Sequence, residues 1–164
     1  MFGVRGLIST SQSNASIRRK NAMSFACLLQ TLSVMLPEPR RINSYRDLTV
    51  WQRAIDLTDA VHAITRSFPR DERFGLTSQL ERAAASIASN IAEGHGRAHL
   101  REYLHHLSIA RGSLMEVETQ LTIAARRGYI TVADEQRAFN LSGDVGRLLS
   151  GLIRALRNRL PPKS

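Results

Sequence analysis

The residues best suited to bind a partner are basic ones near the C-terminal end of the chain. After Asp144 there is no acidic residue, and residues 145–164 hold five basic ones. These are Arg147, Arg154, Arg157, Arg159 and Lys163. Spacings of seven and three residues place the first three on nearly one face of a helix. Because guanidinium groups suit bidentate contacts with phosphate, this pattern predicts binding to the backbone of RNA or DNA. An ordinary solvated helix face is the alternative.

The overall charge favours the same class of partner. The chain has 164 residues, with 23 Lys and Arg against 14 Asp and Glu, and a formal net charge of +9. Such an excess of positive charge indicates the kind of partner, usually a polyanion, and carries no information about the fold. Residues 35–144 hold 14 basic and 14 acidic residues. The foldable part of the chain is therefore expected to be near neutral with one basic end.

A second polar set follows a helical spacing of three and four residues. Its members are Arg82, Ser86, Ser89 or Asn90, Glu93 and Arg97, with Arg111 as a candidate partner of Glu93. One interpretation is a groove for a ligand or RNA. The favoured interpretation is a polar network between helices or between subunits, because charges buried in an oligomer interface need partners.

Metal and covalent chemistry find little support. Asp59-x-x-His62 and Glu102-x-x-His105 each put a carboxylate and an imidazole on one helical face, as in di-iron bundles. The sequence supplies no convincing set of further ligands, so no metal is expected. One cysteine, Cys27, excludes a disulfide framework and a cysteine zinc site. No serine elbow or dinucleotide loop is recognisable, and we predict neither an enzyme nor a cofactor.

The elements that would carry these side chains are predicted to be helices. Apolar residues recur at steps of three and four, without sustained period-two alternation. Four such segments with short connections predict an all-α, antiparallel up-down four-helix bundle over residues 44–160, followed by a tail over 161–164. The third segment has the clearest heptad seam: Tyr103, Leu107, Ala110, Leu114, Val117, Leu121 and Ala124. The inner face of the fourth segment is predicted to consist of Val132, Gln136, Phe139, Gly143, Gly146, Leu149, Ile153, Leu156 and Leu160.

Local signals predict where these helices begin and end. Ser78-x-x-Glu81 fits a capping box, and Thr131 is a good N-cap. Gly94-His95-Gly96 and Arg126-Arg127-Gly128 are typical helix ends, where glycine adopts the left-handed conformation.

Residues 1–43 are expected to be a disordered or poorly packed extension. Arg18-Arg19-Lys20 before an apolar stretch resembles a signal peptide, and the lack of acids resembles a transit peptide. The favoured interpretation is a segment outside the fold, with Met1, Met23 or Met35 as the start. No apolar run reaches the roughly 18 residues of a membrane span, so we expect a cytoplasmic protein without membrane contact.

Several sequence words, in order, resemble one family. They are Tyr45-Arg46-Asp47-Leu48-Thr49-Val50-Trp51, Ser67-Phe68-Pro69, and the ranges 74–80, 83–94, 109–114 and 116–121. The chain is similar to the 23S ribosomal RNA intervening-sequence proteins, and in fold to accessory proteins of diversity-generating retroelements. The resemblance implies a bacterial four-helix bundle, a ring-like homopentamer and association with nucleic acid, and it supplies no catalytic residues. The chain departs from the family's pattern at Ala88, where proline is common, and at Arg97-Ala98-His99, which offers no cap.

Together these features predict a non-enzymatic, oligomeric bundle that binds RNA or DNA through backbone phosphates as an accessory factor. The alternative is a scaffold whose oligomeric ring docks a protein partner without nucleic acid.

Overall fold

The protein is an antiparallel bundle of four helices in the computed structural model, which describes residues 42–161. The helices are α1 (Thr49–Thr65), α2 (Ser78–His95), α3 (Leu100–Arg126) and α4 (Val132–Arg157). Each helix packs against the next, and α4 closes the bundle against α1. Residues 42–161 contain no strand, which confirms the all-α prediction. The extension predicted over residues 1–43 and the tail predicted over residues 161–164 lie almost wholly outside the described residues.

The heptad seam of α3 forms the centre of the core, as predicted. Its members from Leu107 to Ala124 are all buried, and only Tyr103, at the start of the seam, is half-buried. Burying a leucine or valine side chain contributes about 1.5–3 kcal/mol each. A continuous seam of this kind therefore explains why the longest helix also packs against both of its neighbours along its length.

The buried face of α4 is rotated from the predicted one over its first half. Ala138, Ser142 and Val145 are buried there, whereas Val132 is 82% exposed. Hydropathy missed this face because one of its members is polar. The Ser142 hydroxyl donates to Glu118 Oε1 at 3.0 Å and lies 3.1 Å from the carbonyl of Phe139, so its polar atom is satisfied inside the bundle.

The face predicted for α4 is nevertheless correct over its second half, where Leu149, Ile153 and Leu156 are buried.

None of the helices in residues 42–161 is long and apolar enough to cross a membrane.

Two of the four end signals form as predicted. The Thr131 hydroxyl accepts from the amide of Asp134 at 3.1 Å, and Gly128 has a φ of 70° just after α3. The capping box at Ser78 is wrong, because the chain enters α2 directly from a π-helical turn and Glu81 instead accepts from Thr65 Oγ1 at 2.6 Å. The left-handed glycine after α2 is also wrong, since Gly96 has a right-handed φ of −79°.

Helices α2 and α3 lie close together at Gly94. A Cβ atom built at this position would lie 2.7 Å from Tyr103 Cδ2 and 2.9 Å from His106 Cβ. Real Cβ atoms do not tolerate such distances, so this contact requires glycine because of packing and not because of its backbone freedom. The absence of a side chain at Gly94 therefore allows α2 and α3, which also carry the polar network described below, to pack closely.

Replacing Tyr103 by phenylalanine is expected to stabilise the protein. The Tyr103 hydroxyl is buried and has no hydrogen-bond partner among residues 42–161, which costs about 1–3 kcal/mol. Burial also raises the pKa of Tyr103 above its ordinary value of 10.0. Because the folded state favours the neutral phenol, the contribution of this pKa shift to the free energy of unfolding is fully present below pH 10.0. It is lost as the pH rises through the folded-state pKa of Tyr103.

Denaturant unfolding of Tyr103→Phe should therefore show a gain of about 1 kcal/mol at neutral pH and a weaker alkaline loss than in the wild type. Tyr129→Phe is the matched control, because its hydroxyl donates to Glu72 Oε1 at 3.2 Å and its removal should destabilise. A loss of stability in Tyr103→Phe equal to that in Tyr129→Phe would contradict this explanation.

Candidate nucleic-acid interface

The arginines of α4 lie on its solvent side. Arg147, Arg154 and Arg157 are exposed, while the core side of the same stretch is formed by Leu149, Ile153 and Leu156. Arg159 is also exposed and follows the helix, in the turn where its amide donates to the carbonyl of Leu156 at 3.1 Å. Lys163 lies outside the described residues. The structure thus brings three arginines onto one helix and places the fourth just beyond its end.

These arginines differ in the partners they have within the chain. The Arg147 guanidinium pairs with Asp144, but the two side chains are 74% and 41% exposed, so the pair contributes little. Within residues 42–161, Arg154, Arg157 and Arg159 form no ion pair. Arg154 and Arg157 lie in the last turn of α4, where cations interact favourably with the helix dipole. Their guanidinium groups remain available to an anionic partner.

The polar residues of α2 meet α3 along a chain of hydrogen bonds. Ser86 Oγ lies 2.9 Å from Ser113 Oγ, and Asn90 Nδ2 donates to the carbonyl of Ser86 at 2.8 Å. Asn90 Oδ1 lies 3.2 Å from His106 Nδ1. These side chains are buried or half-buried, so the bonds satisfy polar groups at the interface between the two helices.

Glu93 ends this chain of contacts with a partner other than the one expected. Its carboxylate pairs with Arg97 and lies 3.8 Å from His106 Nε2. The proposed pair between Glu93 and Arg111 does not form, and Glu93 pairs instead with Arg97, four residues further along the chain in the connection after α2. Arg82 and Arg111 are exposed and form no ion pair among the described residues.

Sequence reasoning missed the α3 side of this network. His106 and Ser113 belong to it and lie seven residues apart, and the buried Gln120 follows at the same step but donates to Glu116 on its own helix. A polar heptad stripe beside an apolar seam is the signal that could have found them.

The histidines singled out for metal binding lie apart from one another. His62 Nδ1 is 3.2 Å from Glu81 Oε1, and the His105 ring packs near that of His106, with 6.0 Å between their centroids. No group of three or more candidate ligands comes together in residues 42–161.

An open groove of about 930 Å³ lies between α1 and the start of α4. It carries charges of both signs, including Arg53, Asp59 and Arg137. The exposed arginines in the second half of α4 do not line this groove.

The fold and these side chains define an antiparallel four-helix bundle with an exposed arginine face on its last helix. The chain belongs to the family described as 23S rRNA-intervening sequence protein, which matches residues 46–151. A solved structure from Bacteroides thetaiotaomicron, a protein of unknown function from the S23 ribosomal protein family, has the same fold. It has a TM-score of 0.60 and 23% identity, covering 64% of this chain and 98% of that chain. No protein with a curated description matches this chain.

Proposed function

We propose that this protein is a non-enzymatic, oligomeric bundle that binds RNA or DNA through backbone phosphates and serves a nucleic-acid enzyme as an accessory factor in the cytoplasm. The observation that carries the proposal is the exposed arginine set of α4. Its members Arg154 and Arg157 have no acidic partner within residues 42–161. The description of the family, which names an intervening sequence of 23S rRNA, supports RNA as the first ligand to test.

The side chains favour contact with the backbone over reading of the bases. Arginine forms bidentate contacts with phosphate oxygens, which position a protein on nucleic acid without selecting a sequence. Stacking of bases needs exposed aromatic rings. Phe74 is the only exposed Phe, Tyr or Trp ring in residues 42–161, and it precedes α2 at the opposite end of the bundle from the C-terminal end of α4. Binding should therefore be strongly salt-dependent and largely independent of sequence.

The outer side of α3 supports an oligomer. Ile109 and Ile123 are 40% and 38% exposed there. Gly112 lies between them in the helix interior, and a Cβ atom on it would meet nothing within 4 Å in this chain. Glycine in a helix interior lowers helix stability by about 1 kcal/mol relative to alanine. Close packing of a second copy against Gly112 would explain why this position lacks a side chain. In the homopentamer implied by the family resemblance, the arginine face would be repeated around a ring and weak contacts would add.

The test is the native mass of the purified protein together with sequencing of the nucleic acid that co-purifies with it. The expected result is an oligomer that carries RNA or DNA at low salt and loses it at high salt. A monomer free of nucleic acid at low salt would contradict both parts of the proposal.

A protein-docking scaffold is the second candidate, favoured by apolar side chains at one end of the bundle. Phe74 is 88% exposed and Val132 is 82% exposed. Phe74 precedes α2 and Val132 begins α4, and the N-termini of α2 and α4 share one end of an antiparallel bundle. A protein partner that remains bound after nuclease treatment would favour this candidate, whereas one that is released would favour nucleic acid.

A further inference from the structure

We propose that two arginines of α3, Arg101 and Arg111, form a second row beside the arginines of α4, and that the two rows together bind the paired backbones of a duplex. This inference rests on the proposed function and extends it in two ways. It adds α3 to the binding surface, and it names double-stranded RNA or DNA as the ligand.

Two contacts fix how α3 and α4 lie against each other. Ser142 Oγ donates to Glu118 Oε1 at 3.0 Å. A Cβ atom on Gly146 would lie 3.4 Å from Leu114 Cδ2. Both contacts fit the same antiparallel register. Moving four residues forward along α4, from Ser142 to Gly146, moves the contact four residues back along α3, from Glu118 to Leu114. The register can therefore be extended to the ends of both helices.

The extended register brings the arginines of the two helices to similar heights. At 1.5 Å per residue, Arg111 lies about 3 Å from the height of Arg147 and about 8 Å from that of Arg154. By the same measure, Arg101 lies about 3 Å from the height of Arg157. The two rows therefore run side by side over the second half of α4.

The arginines of α3 also lie on the side of the helix that faces α4 or solvent. Arg111 precedes Glu118 by seven residues, which is two helical turns, and Glu118 contacts α4. Arg101 lies about 80° further round the helix from Arg111. The side toward α2 is marked by Ser113, which contacts Ser86. This placement explains why Arg111 does not reach Glu93.

The arginines of α4 face the same surface. Arg157 lies within about 20° of Gly146, the residue that contacts α3, and Arg154 lies about 80° from it. Arg147 lies about 100° from Gly146, further toward solvent. All five arginines of the two rows are exposed.

Acidic residues offset little of this charge. Glu118 and Asp144 lie at the far end of the surface, where Glu118 accepts from Ser142 and Asp144 pairs with Arg147. Glu102 adjoins Arg101 in sequence, but it is about 100° away, toward α2. A positive stripe remains at the end where α3 begins and α4 ends.

Two rows fit a duplex better than a single strand. Packed helices have axes about 8–10 Å apart. The narrow minor groove of B-form DNA, about 6 Å wide, and the narrow major groove of A-form RNA each present two facing rows of phosphates. A single strand presents one row and gains much of its affinity from stacking on aromatic rings, and this surface carries no exposed Phe, Tyr or Trp ring.

The experiment compares the full-length wild type with Arg101→Gln/Arg111→Gln by fluorescence anisotropy over a range of salt concentrations. The probes are a duplex RNA, a duplex DNA and a single strand of equal length. Arg66→Gln/Arg70→Gln is the matched control, because these two arginines are also exposed, form no ion pair within residues 42–161, and lie at the other end of the bundle. Circular dichroism verifies that each variant is folded.

The α3 variant should bind either duplex at least about tenfold more weakly at low salt, and the slope of log affinity against log salt should become shallower by about 2. The control variant should keep the wild-type slope. An unchanged slope in the α3 variant, while Arg147→Glu/Arg154→Glu/Arg157→Glu loses binding, would refute the second row and leave the proposed function standing. Wild-type binding by the α3 variant and by the triple α4 variant would overturn both the second row and the proposed function. A single strand that binds as tightly as the duplexes would refute the duplex assignment.

Discussion

Changing Arg147, Arg154 and Arg157 together to glutamate is expected to weaken binding to RNA and DNA by about a hundredfold or more at low salt. Exposed charge pairs contribute up to about 1 kcal/mol each, and 1.4 kcal/mol corresponds to a factor of ten in affinity. Removal of three such contacts therefore costs about a hundredfold, and the new carboxylates add repulsion from phosphate. Electrophoretic retardation and anisotropy titration measure the loss directly.

The same variant should remain folded. All three side chains are exposed, and the Arg147–Asp144 pair is too solvated to contribute much stability. Glutamates near the end of α4 oppose the helix dipole, which costs about 0.3–1 kcal/mol each, so a modest fall in Tm is expected.

The charge-matched control is Arg66→Glu/Arg70→Glu/Arg126→Glu. These arginines are also exposed, but they lie at the other end of the bundle. An equal loss of binding in this control would show that net charge alone drives association, contrary to a local interface on α4. Retention of wild-type affinity in the α4 variant would contradict the interface outright.

Replacing Gly94 by valine is expected to have the largest effect on stability, a loss of about 3 kcal/mol or more. The first side-chain carbon would already lie 2.7 Å from the Tyr103 ring and 2.9 Å from His106 Cβ. Neither neighbour is the free end of a flexible chain, so α2 and α3 would have to separate. Overpacking of this kind costs about 1–3 kcal/mol, and the β-branched side chain adds further crowding.

Gly151→Ala is the matched control for this prediction. Gly151 also lies in a helix interior, but a Cβ atom there would meet nothing within 4 Å. Alanine should therefore stabilise α4 by up to about 1 kcal/mol, because glycine has the lower helix propensity. Denaturant unfolding of the two variants should give opposite signs, and wild-type stability in Gly94→Val would show that the contact between α2 and α3 is looser than described.

Much of the fold was predictable because apolar spacing determines it. The seam of α3 was identified from Leu107 to Ala124 since every member is apolar and the steps never break. The first half of α4 was misassigned because the core contains Ser142, whose hydroxyl is satisfied by Glu118. A hydropathy pattern identifies apolar residues, so it does not detect a buried polar side chain whose hydrogen bonds are satisfied.

The candidate site was only partly predictable, for a related reason. Spacing along one helix placed Arg147, Arg154 and Arg157 together, since their positions on a helix follow from the sequence. It could not place Arg111 beside them, because that depends on the register between α3 and α4. Likewise the sequence predicts a partner for Glu93 across helices, whereas Glu93 contacts Arg97 in the connection just after its own helix.

The most direct test of phosphate binding is the affinity of the wild-type protein for duplex RNA, measured over a range of salt concentrations. Three or more arginine–phosphate contacts predict that log affinity falls linearly with log salt, with a slope of about −3 or steeper. An affinity that does not change with salt, or no binding at the lowest salt concentration, would contradict the proposal that this bundle binds nucleic acid through its arginines.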